Sequence, residues 1–237
     1  MSLFETFQRS VPLRFHPAGY PFIGGGLLAS IVFLLIWDPL GVIFLLLTLF
    51  CLYFFRDPNR AVPQRDGLVV APADGRIVDI QKGQSLPDDL IEEDDSDEYT
   101  KISIFLSVLD VHVNRIPISG KILKTFYYEG RFLNAELDKA SEENERACAL
   151  VKTEKEQLVA FTQIAGLVAR RIITNLDENQ MVTTGERFGI IRFGSRTDVY
   201  VPKKAGVLVS IGQRTIGGET VLADFESSET NRIAKVI

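Results

Sequence analysis

The sequence predicts a mainly β protein: a barrel-sandwich-like β domain behind an N-terminal apolar helical hairpin in the membrane. Two charge-poor runs near the N-terminus predict the hairpin. From residue 68 onward, a succession of short β-branched runs bounded by Gly, Pro, Asp and Asn predicts the domain. With 46% hydrophobic and 24% charged residues over 237 positions, the chain buries a core rather than remaining disordered.

The hairpin comes first. Tyr20 to Trp37 is 18 residues without a charge, Pro39 to Phe55 is 17, and only Asp38 lies between them. At about 1.5 Å per helical residue each run reaches roughly 25 to 27 Å against a hydrocarbon core of about 30 Å. One continuous helix is disfavoured, because Pro39 removes a backbone donor and Asp38 would put a charge at the bilayer centre. A turn at Trp37-Asp38-Pro39 instead returns both ends to one side. Arg9 and Arg14 precede the first run and Arg56 and Arg60 follow the second, so the excess of positive flanks places both termini, and the part that does chemistry, in the cytoplasm. A signal peptide fits poorly: the stretch is too long and lacks a small-residue cleavage site before its second half. A core hairpin of a soluble protein is the remaining alternative. This divides the chain into 1–60, the membrane-associating hairpin and its flanks, and 61–237, the β-rich part.

In that second part, strand-length runs cover Leu68 to Ala71, Arg76 to Ile80, Lys101 to Leu106, Gly120 to Tyr128, Ala147 to Thr153, Gln157 to Gly166, Val168 to Ile173, Phe188 to Phe193, Thr197 to Val201 and Val207 to Ile211. The wholly polar Lys152 to Gln157 reads as a hairpin turn, and Gly212 to Leu222 as a Gly-rich hairpin. Asn134 to Arg146 offers a thin apolar face for one helix. The net charge of −5 arises locally, since eight acids fall between Asp88 and Glu98. That stretch reads as a solvated loop, lacking the glycine and spacing of a calcium loop. Nothing is basic enough to suggest nucleic acid. Two cysteines, Cys51 and Cys148, make no disulfide framework, and two histidines without a CxxC give no zinc spacing, so no metal is implied.

Residues able to do chemistry are few. His16 precedes the apolar run in an interfacial setting. His112 lies in Asp110-Val-His-Val-Asn114, where alternation would set Asp110, His112 and Asn114 on one face of an extended segment. A carboxylate, an imidazole and an amide are costly to bury as core, so this face reads either as a surface strand or as the place of a general acid or base. Phe193-Gly194-Ser195 reads by itself as a turn, and no Gly-x-Ser-x-Gly elbow surrounds Ser195.

Taken in order, Phe54-Phe55-Arg56-Asp57-Pro58, Ala71-Pro72-Ala73-Asp74-Gly75, Asp110-Val111-His112-Val113-Asn114-Arg115, Asn144-Glu145-Arg146, Phe193-Gly194-Ser195 and Gly212-Gln213-Arg214 resemble the compact class of the phosphatidylserine decarboxylase family, from about Gly19 to Ile237. The resemblance implies a proenzyme that cuts itself between Gly194 and Ser195 into a large chain, 1–194, and a small chain, 195–237, which stay together as a heterodimer. Ser195 would become a covalent pyruvoyl group that forms a Schiff base with the serine amine of phosphatidylserine and releases carbon dioxide, leaving phosphatidylethanolamine. Its partners are then an aminophospholipid substrate and the membrane. The family's acid–base roles carry over onto His112 and Asp74. The sequence departs from the longer members at one point: where they place a second histidine three residues on, this chain has Arg115, and their Gly-Ser context differs from Phe193-Gly194-Ser195. Whether His112 serves self-cleavage, decarboxylation or both stays open. So do a related serine phospholipid such as archaetidylserine as substrate, and a membrane-anchored barrel-sandwich carrier or binding module in which Gly194-Ser195 is only a turn.

Overall fold

The computed structural model describes residues 14–91, 98–130, 144–166, 171–192, 194–229, 232 and 234. The chain divides into two compact units, residues 1–59 and 60–237.

In the first unit, α1 (Tyr20–Leu34) and α2 (Asp38–Phe54) form an antiparallel pair. The turn is Leu35 to Trp37, two residues earlier than the sequence suggests. Asp38 and Pro39 open α2 instead of closing the turn, because an acid suits the positive helix start and a proline costs no hydrogen bond in the first turn. The helices meet through small residues. A Cβ on Gly26 would lie 2.5 Å from the Thr48 hydroxyl, and one on Gly41 would lie 2.5 Å from the Leu34 backbone nitrogen. The buried hydroxyls of Ser30 and Thr48 donate within their own helices, to Gly26 O at 2.7 Å and Phe44 O at 2.8 Å. Small contacts inside and leucines, isoleucines and valines outside are how helices associate in lipid. At the open end, His16 N donates to Phe55 O, Asp57 N donates to Arg14 O, and Arg14 pairs with Asp57 at 3.4 Å. Both flanks of the hairpin therefore meet at one end. Pro17–Leu34, 18 residues, is long and apolar enough to cross a membrane; Asp38–Phe54 is one residue shorter.

The second unit is mainly β. Its largest sheet is antiparallel, curled into a half-barrel and ordered β13 (Arg214–Thr215), β2 (Gly75–Gln84), β3 (Tyr99–Leu106), β11 (Ser195–Pro202), β7 (Leu158–Ala165), β6 (Arg146–Lys152), β5 (Gly120–Tyr128) and β9 (Met181–Val182). Two three-stranded sheets accompany it: β1 (Leu68–Val70), β14 (Val221–Asp224) and β12 (Gly206–Val207); and β4 (Val113–Arg115), β10 (Arg187–Ile191) and β8 (Ile172–Thr174). The polar run after β6 is a tight hairpin turn, closed by Thr153 N to Gln157 O at 2.9 Å with Glu156 at a φ of 63°.

β11 is buried along its whole length, so both faces of the central sheet are covered. Odd-numbered Val199 and Val201 join Ile102, Ile104, Phe161 and Val159 in the main core. Even-numbered Tyr200 packs with Ala160, Leu150, Cys148 and Tyr99, under Leu86 and Leu90. Two expectations change. Gly212 to Leu222 is not one hairpin: β13 pairs with β2, whereas β14 pairs with β1 and β12, because each short strand finds its partner far away in sequence. Of the expected helix, positions 134–143 lie outside the described residues, and Arg146 opens a strand. The acidic stretch likewise falls partly outside them, with Asp88–Leu90 forming one 3-10 turn.

Candidate active site

Ser195 opens β11 between two strands, opposite Leu106 of β3 and Ala165 of β7. It is fully buried, and among the described residues its hydroxyl has no hydrogen-bond partner. Such a group costs about 1 to 3 kcal/mol, which calls for an explanation other than packing. Strand alternation sets Ser195 on the face of Thr197, Val199 and Val201, so the main core turns polar at this end.

Gly194 has a φ of +68°, and open space surrounds the position where a Cβ would stand. Backbone conformation rather than crowding demands glycine here. The Gly194 carbonyl accepts a hydrogen bond from Gly166 N at 3.1 Å. Gly166 directly follows β7, whose end is clamped: Asn144 Nδ2 donates to Ala165 O at 2.7 Å, and Ala165 N donates to Glu145 O at 2.9 Å. The Glu145 carboxylate in turn accepts from Ile172 N and from the Tyr127 hydroxyl. Burial, and then that hydrogen bond, push the Tyr127 phenol up to about 12.

His112 reaches this end by two chain paths. It follows Leu106, the partner of Ser195, by six residues, and its carbonyl accepts from Ile191 N at 3.4 Å, four residues before Ser195. The imidazole is fully buried, which excludes the surface-strand reading. Its Nδ1 lies 3.0 Å from the Asp110 carbonyl. A carbonyl only accepts, so Nδ1 carries a proton, and in the neutral ring the lone pair is then on Nε2. The expected single face of Asp110, His112 and Asn114 does not form, because strand structure begins only at Val113. Asp110 closes a turn instead: its carboxylate accepts from Ser107 N at 2.9 Å and from Arg214 at 2.6 Å. Asn114 Oδ1 accepts from Gln163 Nε2 at 2.7 Å, on the Ser195 face of the sheet. A Cβ on Gly189, the β10 partner of Asn114, would crowd that amide at 3.2 Å.

Asp74 stands just before β2, whose Arg76 pairs with Phe105, so it also belongs to the Ser195 end. Its carboxylate is held by Arg60 at 2.7 and 2.8 Å and by Gly217 N at 2.8 Å. Arg115 is buried and donates to Gly185 O at 2.9 Å. On the opposite face of β11, Arg196 and Asp198 form a buried pair at 2.9 Å. Burial pushes the nearby Cys148 thiol up to about 11 and the Tyr200 phenol higher still, so neither competes as a nucleophile. The sequence does not single out Gly166 or Gln163, and it offers Arg60 only as a positive flank of the hairpin, whereas its guanidinium holds Asp74. Gly166 and Gln163 sit inside an apolar run, and only the pairing of β7 with β11 reveals them.

Sequence comparison agrees with the motif order. The phosphatidylserine decarboxylase family model matches residues 47–223. The chain is 54% identical over 214 residues to the phosphatidylserine decarboxylase proenzyme of Nitrobacter winogradskyi, a match covering 90% of this chain and 85% of that one.

Proposed function

The chain belongs to the phosphatidylserine decarboxylase family, and we propose that it is made as a proenzyme that cuts itself between Gly194 and Ser195 and then converts phosphatidylserine to phosphatidylethanolamine. One observation carries this reading: a buried serine hydroxyl without a partner among the described residues directly follows a glycine whose carbonyl already accepts an N–H.

In the cut, Ser195 Oγ attacks the Gly194 carbonyl carbon and its proton passes to a base, the Nε2 lone pair of His112. The Gly166 N–H stabilises the negative charge that develops on the Gly194 oxygen, a donor of the kind worth about 10² to 10³ in rate. The C–N bond then breaks as the Ser195 nitrogen takes the proton, leaving an ester. Loss of the α-proton breaks the Cβ–O bond and frees the Gly194 carboxylate. Water then displaces ammonia at residue 195, leaving a ketone at the head of 195–237.

The residues fit the pyruvoyl group, since Ser195 supplies its carbons and Gly194 leaves open space beside it. That group would supply an electron sink for the pair left on the substrate carbon when carbon dioxide departs. His112, the histidine of the second unit, is then the acid that returns a proton to the substrate carbon. Asp74, held by Arg60 and Gly217, is the family's carboxylate and keeps the turn before β2 in place. Asp74→Asn should fold yet process several-fold more slowly, read as the half-time of chain splitting; unchanged splitting would remove Asp74 from the machinery.

The apolar hairpin is the anchor, with the second unit on the cytoplasmic side. Deleting Met1 to Phe55 should let the protein leave membranes in a high-salt wash without detergent while splitting at 194/195 persists. A truncated chain that still needs detergent would overturn the anchor. Intact-mass analysis of the purified wild type tests the reading as a whole: two chains, 1–194 and 195–237, with a carbonyl in place of the amine at residue 195.

A further inference from the structure

The second unit is polarised along its strands. Among its described residues the exposed large apolar side chains are Val108, Leu109, Ile211, Ile216, the 126–128 run of β5, and Met181. Strand register locates them. Ser195 lies opposite Leu106, so Val108 and Leu109 follow at that end of the sheet. Arg214 pairs with Arg76 and Arg76 with Phe105, which brings Ile211 and Ile216 to the same end. The 126–128 run connects through 146–148 of β6 and 162–164 of β7 to Arg196 and Asp198, again near Ser195. Only Met181, paired with Lys121, lies toward the other end. That other end carries charge: the Thr153–Gln157 turn with Glu154, Lys155 and Glu156, and Lys203 paired with Glu98 at 2.6 Å.

Two of the cations at the apolar end face each other at the surface. Arg214, its side chain 70% exposed, and Arg76, also exposed, lie directly opposite each other on neighbouring strands. Like charges in that position repel. Arg214 is partly answered by Asp110, while Arg76 makes no ion pair among the described residues. Aliphatic side chains around a pair of arginines, with tyrosines at the margin, match the layering of a bilayer surface: acyl chains below, anionic phosphates above, and aromatic rings between them.

We propose that the Ser195 end of the sheet is a second contact with the bilayer, separate from the N-terminal hairpin, in which Val108, Leu109, Ile211 and Ile216 enter the headgroup boundary and Arg76 and Arg214 meet anionic phospholipid. The choice of a bilayer as occupant rests on the lipid-metabolising reading above; the surface itself does not. Only residues 55–59 separate α2 from the second unit, so the bilayer is within reach. The contact sets the Ser195 end of the sheet at the headgroup layer, where the substrate keeps its acyl chains in lipid.

The test uses the full chain with Cys51→Ala, reconstituted in phosphatidylcholine vesicles containing phosphatidylglycerol, which is not the substrate. An environment-sensitive fluorophore is placed at Leu109→Cys or, at the charged end, Glu154→Cys; Cys148 is buried and stays unlabelled. Nitroxide lipids labelled near the headgroup should quench position 109 several-fold more than position 154, and iodide should do the reverse. Removing phosphatidylglycerol should weaken the quenching at 109. Equal iodide access at both positions would overturn the contact, and so would shielding of 109 from both quenchers, which would mean that a second copy covers the rim. Lipid quenching that ignores phosphatidylglycerol would overturn the role of the arginines. None of these readings depends on decarboxylation, so the contact and the enzyme stand or fall separately.

Discussion

Ser195→Ala should yield one uncut chain of 26.5 kDa with no decarboxylase activity, where the wild type yields two chains. The variant loses both the attacking oxygen and the atoms from which the ketone is made, so neither processing nor turnover has a residual route. Its fold should not suffer. The hydroxyl is fully buried without a partner among the described residues, and deleting such a group is neutral or stabilising by on the order of 1 kcal/mol. That asymmetry separates function from structure: a thermal midpoint no lower than that of other uncut variants, together with complete loss of splitting, marks a serine kept for chemistry. Ser195→Thr should be worse than Ser195→Cys, since its extra methyl enters a closed position between Leu106 and Ala165 and its β-branch restricts the rotamer. In the wild type the 195–237 chain should resist Edman degradation for want of an amine. A Ser195→Ala chain that decarboxylates phosphatidylserine would end the pyruvoyl reading.

The sequence made long elements legible and short ones obscure, for physical reasons. Gly120–Tyr128 has the bounds its β-branched run suggests, and the polar turn between β6 and β7 falls where the apolar runs stop. The hairpin helices follow directly from charge-free length. By contrast β4, β9, β13 and β14 have two to four residues each, too few to show a period, and their partners are remote. The site shows the same division. His112 could be picked out because it is the one histidine of the β-rich part, whereas Ser195, by itself a turn residue, stands out only through the order of motifs that resembles the family. Gly166 could not, because its contribution is a backbone N–H delivered by the register of β7 against β11. Alternation makes Asp110 a neighbour of the imidazole through its side chain, whereas its backbone carbonyl orients His112 and its carboxylate ties down the turn.

His112→Ala should slow splitting at 194/195 by about 10² to 10⁴, the usual loss when a positioned base is removed. Nδ1 is committed to the Asp110 carbonyl at 3.0 Å, so in the neutral ring only Nε2 can accept a proton. No side-chain change at 110 removes that carbonyl. Asp110→Ala should therefore cost much less than His112→Ala, acting only through the loosened turn at Ser107 and Arg214. Hydroxylamine tells which step fails. If the base is needed for the attack, the His112→Ala chain holds an ordinary amide and hydroxylamine leaves it intact. If it is needed only for elimination, the ester accumulates, and hydroxylamine cuts it to give a small chain beginning with an unmodified Ser195. Because His112 is the histidine of the second unit and Arg115 stands where longer relatives have another, any fraction of His112→Ala that does split should still decarboxylate slowly. Full splitting with full activity would take His112 out of both reactions and leave the proton transfer to another residue.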